Sequence, residues 1–228
     1  MTFSKCTHAV AVCAITVLAC AGMAAAERLG PQIYAAKTAI KLALFLALPV
    51  IYLAAARDKQ ALALLRPPEK RGLAVGAALG AAVCALIVGG YFALSGIIDF
   101  SAVAGGLEKS DGVTAENFVA VALYITFINS FVEEFFFRGF AYSLLGGAIG
   151  QRAAGIFSAA MFALFHVAII TGWFHPLVTA AIIGALFVAG LIFNRLMQAS
   201  GSLLSPWLLH MGANAGINIV GLLLLGVI

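Results

Sequence analysis

The chain has 228 residues, of which 64% are hydrophobic and only 10% are charged. Because a soluble domain has about 25% charged residues, this composition excludes a soluble protein, and it equally excludes a disordered chain. The net charge of +4 is then best explained by loop asymmetry in a membrane protein. We expect a lipid bilayer around the chain and no nucleic-acid partner.

Seven apolar runs are long enough to cross a bilayer, which takes about 20 helical residues. They are residues 9–26, 33–56, 72–98, 118–137, 155–171, 176–194 and 203–228. Each run is continuously apolar, as is typical of membrane-spanning helices. The sequence therefore predicts an all-α fold, a polytopic transmembrane helix bundle of six to seven spans.

The first run has more than one interpretation. Lys5, the apolar stretch and the small residues before Glu27 describe either a retained helix or a cleavable signal sequence. Residues 17–20 also loosely resemble a lipoprotein cleavage box. The first two interpretations leave the topology of the other spans unchanged.

Basic residues in the short loops predict the orientation of the spans. Segment 57–71 contains five Lys or Arg residues, so this loop should face the cytoplasm. Counting outwards from it places Lys5, Arg138, Arg152 and Arg195 on the same side. We expect a multi-pass protein of the bacterial inner (cytoplasmic) membrane.

The acidic loop 99–117, which includes Glu108 and Asp111, falls on the outer side in this topology. Lys37 and Lys41 fit less well, because they lie at the outer start of the second span. There they would have to extend their side chains to the membrane interface.

Two spans carry small residues at a four-residue spacing. Gly72, Gly76 and Gly80 form such a stripe in the third span, and Gly212 with Gly216 forms one in the last. Small residues at this spacing let two helices approach closely in a membrane. We expect both stripes to be packing surfaces.

Polar residues inside the spans are the best candidates for function, because an ionisable side chain there costs about 2.5–3.5 kcal/mol on insertion scales. The candidates are Glu133 and Glu134 at the end of the fourth span, His166 in the fifth, and His210, Asn214 and Asn218 in the seventh. Counted along their helices, His166, His210 and Asn214 lie about 10–17 Å from the cytoplasmic side. They should therefore converge in the cytoplasmic half of the membrane.

Helical spacing indicates which of these side chains act together. Glu134 and Arg138 are four residues apart and should form an ion pair within their helix. Glu133 points about 100° away from Glu134 and is free to face the centre of the bundle. The polar residues of the seventh span are also four apart and form one stripe.

These groups suit the hydrolysis of an amide inside the membrane. A glutamate beside a histidine, here Glu133 and His166, can activate water. His210 and Asn214 can donate hydrogen bonds to the oxyanion of a tetrahedral intermediate. Because no serine or cysteine lies at matching depth beside a histidine, direct attack by water is favoured over an acyl-enzyme. Taken singly, the same groups could be an interfacial anchor, a packing residue and an interhelical clamp.

Three ordered motifs resemble those of a known family. The motifs are Glu133-Glu134-x-x-x-Arg138, Phe162-x-x-x-His166 and His210-x-x-x-Asn214. They are similar to those of the CAAX-protease and bacteriocin-processing (CPBP, or Abi) family of glutamic intramembrane proteases, which includes the Ras-converting CAAX endopeptidases. The resemblance covers roughly residues 118–218.

The resemblance implies a role for each motif residue. Glu133 with His166 would be the water-activating base, Glu134 with Arg138 the supporting pair, and His210 with Asn214 the oxyanion site. It implies an endopeptidase that acts on a membrane-associated protein or peptide, such as a C-terminal processing or sorting signal. It does not imply that this substrate is prenylated, and it calls for neither a metal nor another cofactor.

The chain is expected to divide into three parts. Residues 1–26 are a transmembrane helix or signal sequence, residues 27–117 are amino-terminal helices and loops, and residues 118–228 are the protease core. Phe162 and Asn218 are expected to support the site.

Two other functions are compatible with the same residues. A zinc-dependent membrane metalloprotease could use carboxylate and imidazole ligands, although the chain has no H-E-x-x-H sequence and Arg138 would lie close to the metal. A non-catalytic immunity or scaffold protein could keep the motifs to bind a peptide.

Overall fold

The computed structural model describes residues 5–30, 33–100, 103, 105 and 113–228, and these residues form a helical bundle without strands. Its helices are α1 (Lys5–Leu29), α2 (Tyr34–Ala56), α3 (Gln60–Ala63), α4 (Lys70–Leu94), α5 (Phe118–Ile149), α6 (Gln151–Ile170), α7 (Pro176–Ser200) and α8 (Leu204–Leu224). All except α3 are long and apolar enough to cross a membrane. The predicted all-α polytopic bundle is confirmed, and the described residues contain seven such helices. Glu108 and Asp111 of the predicted outer loop lie outside the described residues.

Helices α4 and α8 form the closest helix pair, and glycine makes this approach possible. A side chain at Gly76 would meet the backbone of Ser205, and one at Gly212 would meet the backbone of Gly80. Dispersion contacts between such close backbones stabilise helix pairs where lipid removes the hydrophobic driving force. The two predicted small-residue stripes therefore pack against each other, and this contact fixes the position of α8.

Helix α5 is longer than its sequence indicates. The predicted span ends at residue 137, whereas α5 runs on to Ile149. Arg138 does not end the apolar segment, because its side chain is buried and bonded to Glu134. The predictions that Glu133 and Glu134 lie at the end of a span and that Arg138 faces the cytoplasmic side are therefore wrong. The two glutamates lie near the middle of α5.

Helices α2 and α5 both depart from regular α-helical geometry near their polar residues. In α5, π-helical segments Tyr124–Asn129 and Phe135–Tyr142 flank the α-helical segment Ser130–Glu134. Helix α2 has a π-helical turn at Ala43–Ala47, just after Lys41. Such π-helical turns are rare in proteins, and those that occur are often found at functional sites.

Lys37 and Lys41 do not extend to the interface as predicted. Both side chains point into the bundle, and the two residues are only 5% and 8% exposed. The ammonium group of Lys37 lies 2.8 Å from Glu27 Oε2, and that of Lys41 lies 2.5 Å from Glu133 Oε1. A carboxylate within the bundle satisfies each charge, so neither lysine needs the lipid headgroups.

Candidate active site

Two adjacent glutamates of α5 form the centre of a buried polar cluster. Glu133 is 2% exposed and Glu134 is fully buried. Because the two glutamates are adjacent in the α-helical segment Ser130–Glu134, their carboxylates leave the helix in different directions. Each carboxylate contacts a different set of partners.

Glu134 belongs to a network that links α5 to α8. Its Oε1 accepts a hydrogen bond from Arg138 Nη1 at 3.1 Å, which confirms the predicted ion pair. The same oxygen lies 2.8 Å from Nδ1 of His210. Because a carboxylate only accepts hydrogen bonds, Nδ1 of His210 is the donor. The other ring nitrogen of His210 is thereby directed at Glu133.

Arg138 is held by aromatic rings as well as by Glu134. Its guanidinium carbon lies 4.4 Å from the ring centre of Phe162 and 4.7 Å from that of Phe193. A guanidinium stacked on aromatic faces gains cation–π attraction that strengthens where water is excluded. Phe162 thus supports the site through this contact, and Phe193 does the same without having been predicted.

Glu133 is bound on one oxygen and open on the other. Its Oε1 accepts hydrogen bonds from Lys41 at 2.5 Å and from Asn129 at 3.0 Å. Its Oε2 has no hydrogen-bond partner among the described residues. This oxygen lies 3.8 Å from Nε2 of His210 and 4.0 Å from Nε2 of His166. Three polar atoms from three helices therefore face one another.

The orientation of His166 is set within its own helix. Its Nδ1 lies 2.7 Å from the carbonyl oxygen of Phe162, so Nδ1 donates and a neutral ring carries its free lone pair on Nε2. The imidazole also contacts the edges of Phe162 and Phe165 at 4.7 and 4.9 Å between ring centres. These contacts aim Nε2 at Glu133.

The two asparagines of the α8 stripe tie that helix to α5. Asn214 Nδ2 donates to the carbonyl oxygen of Ile125 at 2.9 Å. Asn218 Nδ2 donates to the carbonyl of Ala122 at 3.0 Å and to Thr126 Oγ1 at 2.9 Å. An amide nitrogen has two hydrogens, so the bond to Ile125 leaves Asn214 with a second donor.

Formal charges balance within the cluster. The carboxylates of Glu133 and Glu134 meet the cations of Lys41 and Arg138, and each cation touches a different glutamate. Such pairing is required, because an isolated charge in a low-dielectric interior is very costly. The ammonium of Lys41 and the guanidinium of Arg138 already provide the positive charge that a metal ion would bring.

Within the described part of the chain, no group of three His, Cys, Asp or Glu side chains has the spacing to hold a metal ion. The glutamate and histidine side chains nevertheless lie close together around Glu133.

Two residues of the cluster were missed in the sequence. Lys41 lies about two turns inside its span, and an ionisable residue there is itself a functional signal. Asn129 precedes Glu133 by four residues, which is the spacing for contact on one helix face. Both signals are present in the sequence, although the predicted topology assigned Lys41 to the membrane interface.

The seven long apolar helices define an integral, multi-pass membrane protein with a buried polar cluster. Residues 115–216 match the family model described as Type II CAAX prenyl endopeptidase Rce1-like. This match confirms the resemblance carried by the three motifs. No curated protein and no solved structure matches the chain. The match supports a CAAX-type intramembrane protease in general terms.

Proposed function

We propose that this protein hydrolyses a peptide bond in a membrane-associated protein or peptide, with Glu133 and His166 activating the attacking water. The observation that carries the proposal is the position of Glu133 Oε2, which faces Nε2 of His166 at 4.0 Å. A water bound there can donate one hydrogen to Oε2 and the other to a ring nitrogen. Its oxygen lone pair is then available to a carbonyl carbon.

The reaction follows from these positions. As the water oxygen bonds to the carbonyl carbon, its proton passes to the Glu133–His166 pair and the carbonyl oxygen becomes an oxyanion. Collapse of the tetrahedral intermediate re-forms the carbonyl and breaks the carbon–nitrogen bond. The departing amine takes the proton from the same pair, so that the site returns to its initial charge.

We assign the oxyanion site to His210 and Asn214. The second amide hydrogen of Asn214 is suited to this role. His210 donates through Nδ1 to Glu134, so it can offer a second donor at Nε2 only as an imidazolium. The Glu134–Arg138 pair holds the ring of His210 in this orientation through the 2.8 Å contact.

Contacts of segment 57–71 support a site nearer the cytoplasmic side. Gln60 bonds to the carbonyl of Ser143 at 3.0 Å, and Leu64 accepts from the backbone of Leu203 at 2.8 Å. Ser143 and Leu203 therefore lie at the same depth in the bundle as this basic segment. At 1.5 Å per residue, Glu133 is about 15 Å from Ser143 along α5, and His210 is about 10 Å from Leu203 along α8.

The substrate class follows from the surroundings of the site. The cluster lies near the middle of α5, one of seven helices long and apolar enough to cross a membrane, which supports a substrate that brings its scissile bond into the bilayer. A lipid-anchored or membrane-inserted C-terminal segment meets this requirement. The matched family is described as a CAAX prenyl endopeptidase, and a prenylated terminus is one member of this class.

A comparison of membrane proteomes tests the proposal. Cells that express wild type are compared with cells that express Glu133→Ala, and peptide termini are quantified by mass spectrometry. We expect at least one membrane-associated protein to be cleaved only with wild type, while both variants reach the membrane in equal amount. Identical termini in both samples would contradict the proposal.

The alternatives give different results in the same material. Stoichiometric zinc in the purified protein, together with loss of cleavage after chelation, would favour the metalloprotease. A cellular phenotype that Glu133→Gln leaves intact would favour a peptide-binding scaffold. We expect chelator-resistant cleavage that Glu133→Gln abolishes.

A further inference from the structure

We propose that Lys41 is a positioning residue of the active site, which orients Glu133 so that Oε2 faces the two histidines. This inference rests on the proposed role of Glu133 as the base. Lys41 lies on α2, outside the matched residues 115–216. The amino-terminal part of the chain would then complete a site whose other members lie in the family segment.

The contacts of Glu133 carry the argument. Lys41 and Asn129 both donate to Oε1, at 2.5 and 3.0 Å. Two donors on one oxygen fix the rotation of the carboxylate about its own axis. Because Oε1 is held on that side, Oε2 is turned towards Nε2 of His166 and His210.

The position of Lys41 is itself tightly determined. Its ammonium group also donates to Asn129 Oδ1 at 2.6 Å, so lysine, asparagine and glutamate form a closed triangle. The same group lies 4.7 Å from the ring centre of Phe165 and 5.8 Å from that of Phe45. Aromatic faces attract a desolvated ammonium, and they help to hold it against Glu133.

The other charged groups around Glu133 are already engaged elsewhere. Arg138 bonds to Glu134, and His210 donates to the same carboxylate. His166 bonds through Nδ1 to its own helix. Within the described part of the chain, Lys41 is therefore the permanent cation in direct contact with Glu133.

Lys37 provides a matched control for Lys41. It lies one turn earlier on α2, is 5% exposed and pairs with Glu27 at 2.8 Å. Lys37→Met therefore removes a similarly buried ammonium from the same helix face, one that pairs with Glu27 rather than with Glu133. An effect specific to Lys41 must exceed the effect of this variant.

Unfolding temperatures test the pairing without any substrate. Lys41→Met leaves the Glu133 carboxylate buried without its cation, which lowers the unfolding temperature in detergent. Adding Glu133→Gln removes that unpaired charge, so we expect the double variant to unfold at a higher temperature than Lys41→Met alone. If the unfolding temperature of the double variant falls by the sum of the decreases in Lys41→Met and Glu133→Gln, the pairing is refuted.

Kinetics test the positioning role. The probe is a quenched fluorescent peptide that spans the cleavage site identified by the proteome comparison, with enzyme reconstituted in liposomes. For Lys41→Met we expect kcat to fall about 10- to 100-fold, the cost of a displaced catalytic group, with KM unchanged. Lys41→Arg should recover part of kcat, and Lys37→Met should stay close to wild type.

Failure of this inference is distinguishable from failure of the proposed function. If Glu133→Gln retains cleavage, Glu133 is not the base and the proposed function fails. If Glu133→Gln is inactive while Lys41→Met keeps the kcat of wild type, only the role of Lys41 fails. Equal losses in Lys41→Met and Lys37→Met would also overturn it. If Lys41→Met does not accumulate in membranes, Lys41→Gln, which keeps a donor, replaces it under the same criteria.

Discussion

Arg138 combines a structural with a chemical role because it is fully buried among aromatic rings. Its guanidinium neutralises Glu134 and stacks on Phe162 and Phe193. Glu134 in turn accepts the hydrogen bond that orients His210. The position of the histidine therefore depends on the Glu134–Arg138 charge pair.

Removal of this guanidinium should destabilise the bundle. We expect Arg138→Met to lower the free energy of unfolding by about 3–5 kcal/mol, because it leaves the Glu134 carboxylate buried and unpaired. Arg195→Met, at an exposed position, should change it by no more than about 0.5 kcal/mol. Denaturant titration in detergent micelles measures both. Equal values for the two variants would contradict the pairing of Arg138.

Asn214 and Asn218 allow the clamp and the oxyanion roles to be separated. Both tie α8 to the backbone of α5 through bonds of 2.9–3.0 Å, but only Asn214 is assigned to the oxyanion. We expect Asn214→Ala to lower kcat about 10²- to 10³-fold, the usual effect of losing one oxyanion donor. Asn218→Ala should lower stability by about 0.6–2 kcal/mol and keep most of the cleavage rate. Similar kcat values would show that Asn214 is only a clamp.

At the scale of helices, the contact between α4 and α8 determines where His210 and Asn214 lie. A methyl group on Gly212 would meet the backbone of Gly80, whereas one on Gly89 would meet open space. The two glycines therefore differ in how much a small side chain would disturb the helix pair.

We expect Gly212→Ala to destabilise the protein by about 1–3 kcal/mol, as overpacking does, and to reduce cleavage by displacing α8. Gly89→Ala should leave stability unchanged or slightly higher, because alanine favours a helix over glycine. Thermal unfolding and the peptide assay measure the two effects. A Gly212→Ala variant that equals Gly89→Ala in both assays would contradict the close packing.

Sequence patterns predicted the helix boundaries better than the contacts of the polar residues within the spans. The apolar runs of α2, α4 and α6 give boundaries within about four residues of the observed helices, because the length of a membrane span is set by the bilayer. The end of α5 was misplaced because Arg138 was interpreted as a charge in water. Whether a charge in a span is exposed or paired depends on the neighbouring helix, which a single span does not reveal. Lys41 illustrates the same point, since its partner Glu133 lies on a different helix.

The pairing of Glu134 with Arg138 could be predicted because both residues lie on one helix at a fixed spacing. The contacts of Glu133 with His166 and His210 could be predicted only as a convergence, since they join three helices. The tie of Asn214 to Ile125 depends on how α8 packs against α5. Local spacing thus explains the contacts within helices, and tertiary packing explains the rest.

At the scale of the whole molecule, the candidate site combines residues from inside and outside the segment that matches the family model. The family match covers residues 115–216, whereas Lys41 comes from α2. Helices α1 and α2 pack against the matched segment, and Phe45 of α2 stacks on Phe136 at 4.1 Å between ring centres. The predicted division of the chain after residue 117 therefore does not isolate the complete candidate site.

Orientation is a property of the whole molecule and has its own test. In a variant without the native cysteines, we expect Lys59→Cys to be labelled by a membrane-impermeant reagent only from the cytoplasmic side. Glu116→Cys, which is also exposed, should be labelled only from the outside. The expectation follows from the basic segment 57–71. The opposite pattern would place the site nearer the outer surface and contradict the proposed depth.

The role of Glu133 as the general base is tested most directly by the cleavage rate of Glu133→Gln in liposomes, measured with the quenched peptide. Glutamine keeps the size of the side chain but cannot accept a proton from water. We expect kcat to fall about 10²- to 10⁴-fold, the contribution of a general base, while Glu116→Gln at an exposed position retains the wild-type rate. A Glu133→Gln variant that cleaves at the wild-type rate would contradict the proposal that Glu133 activates the attacking water.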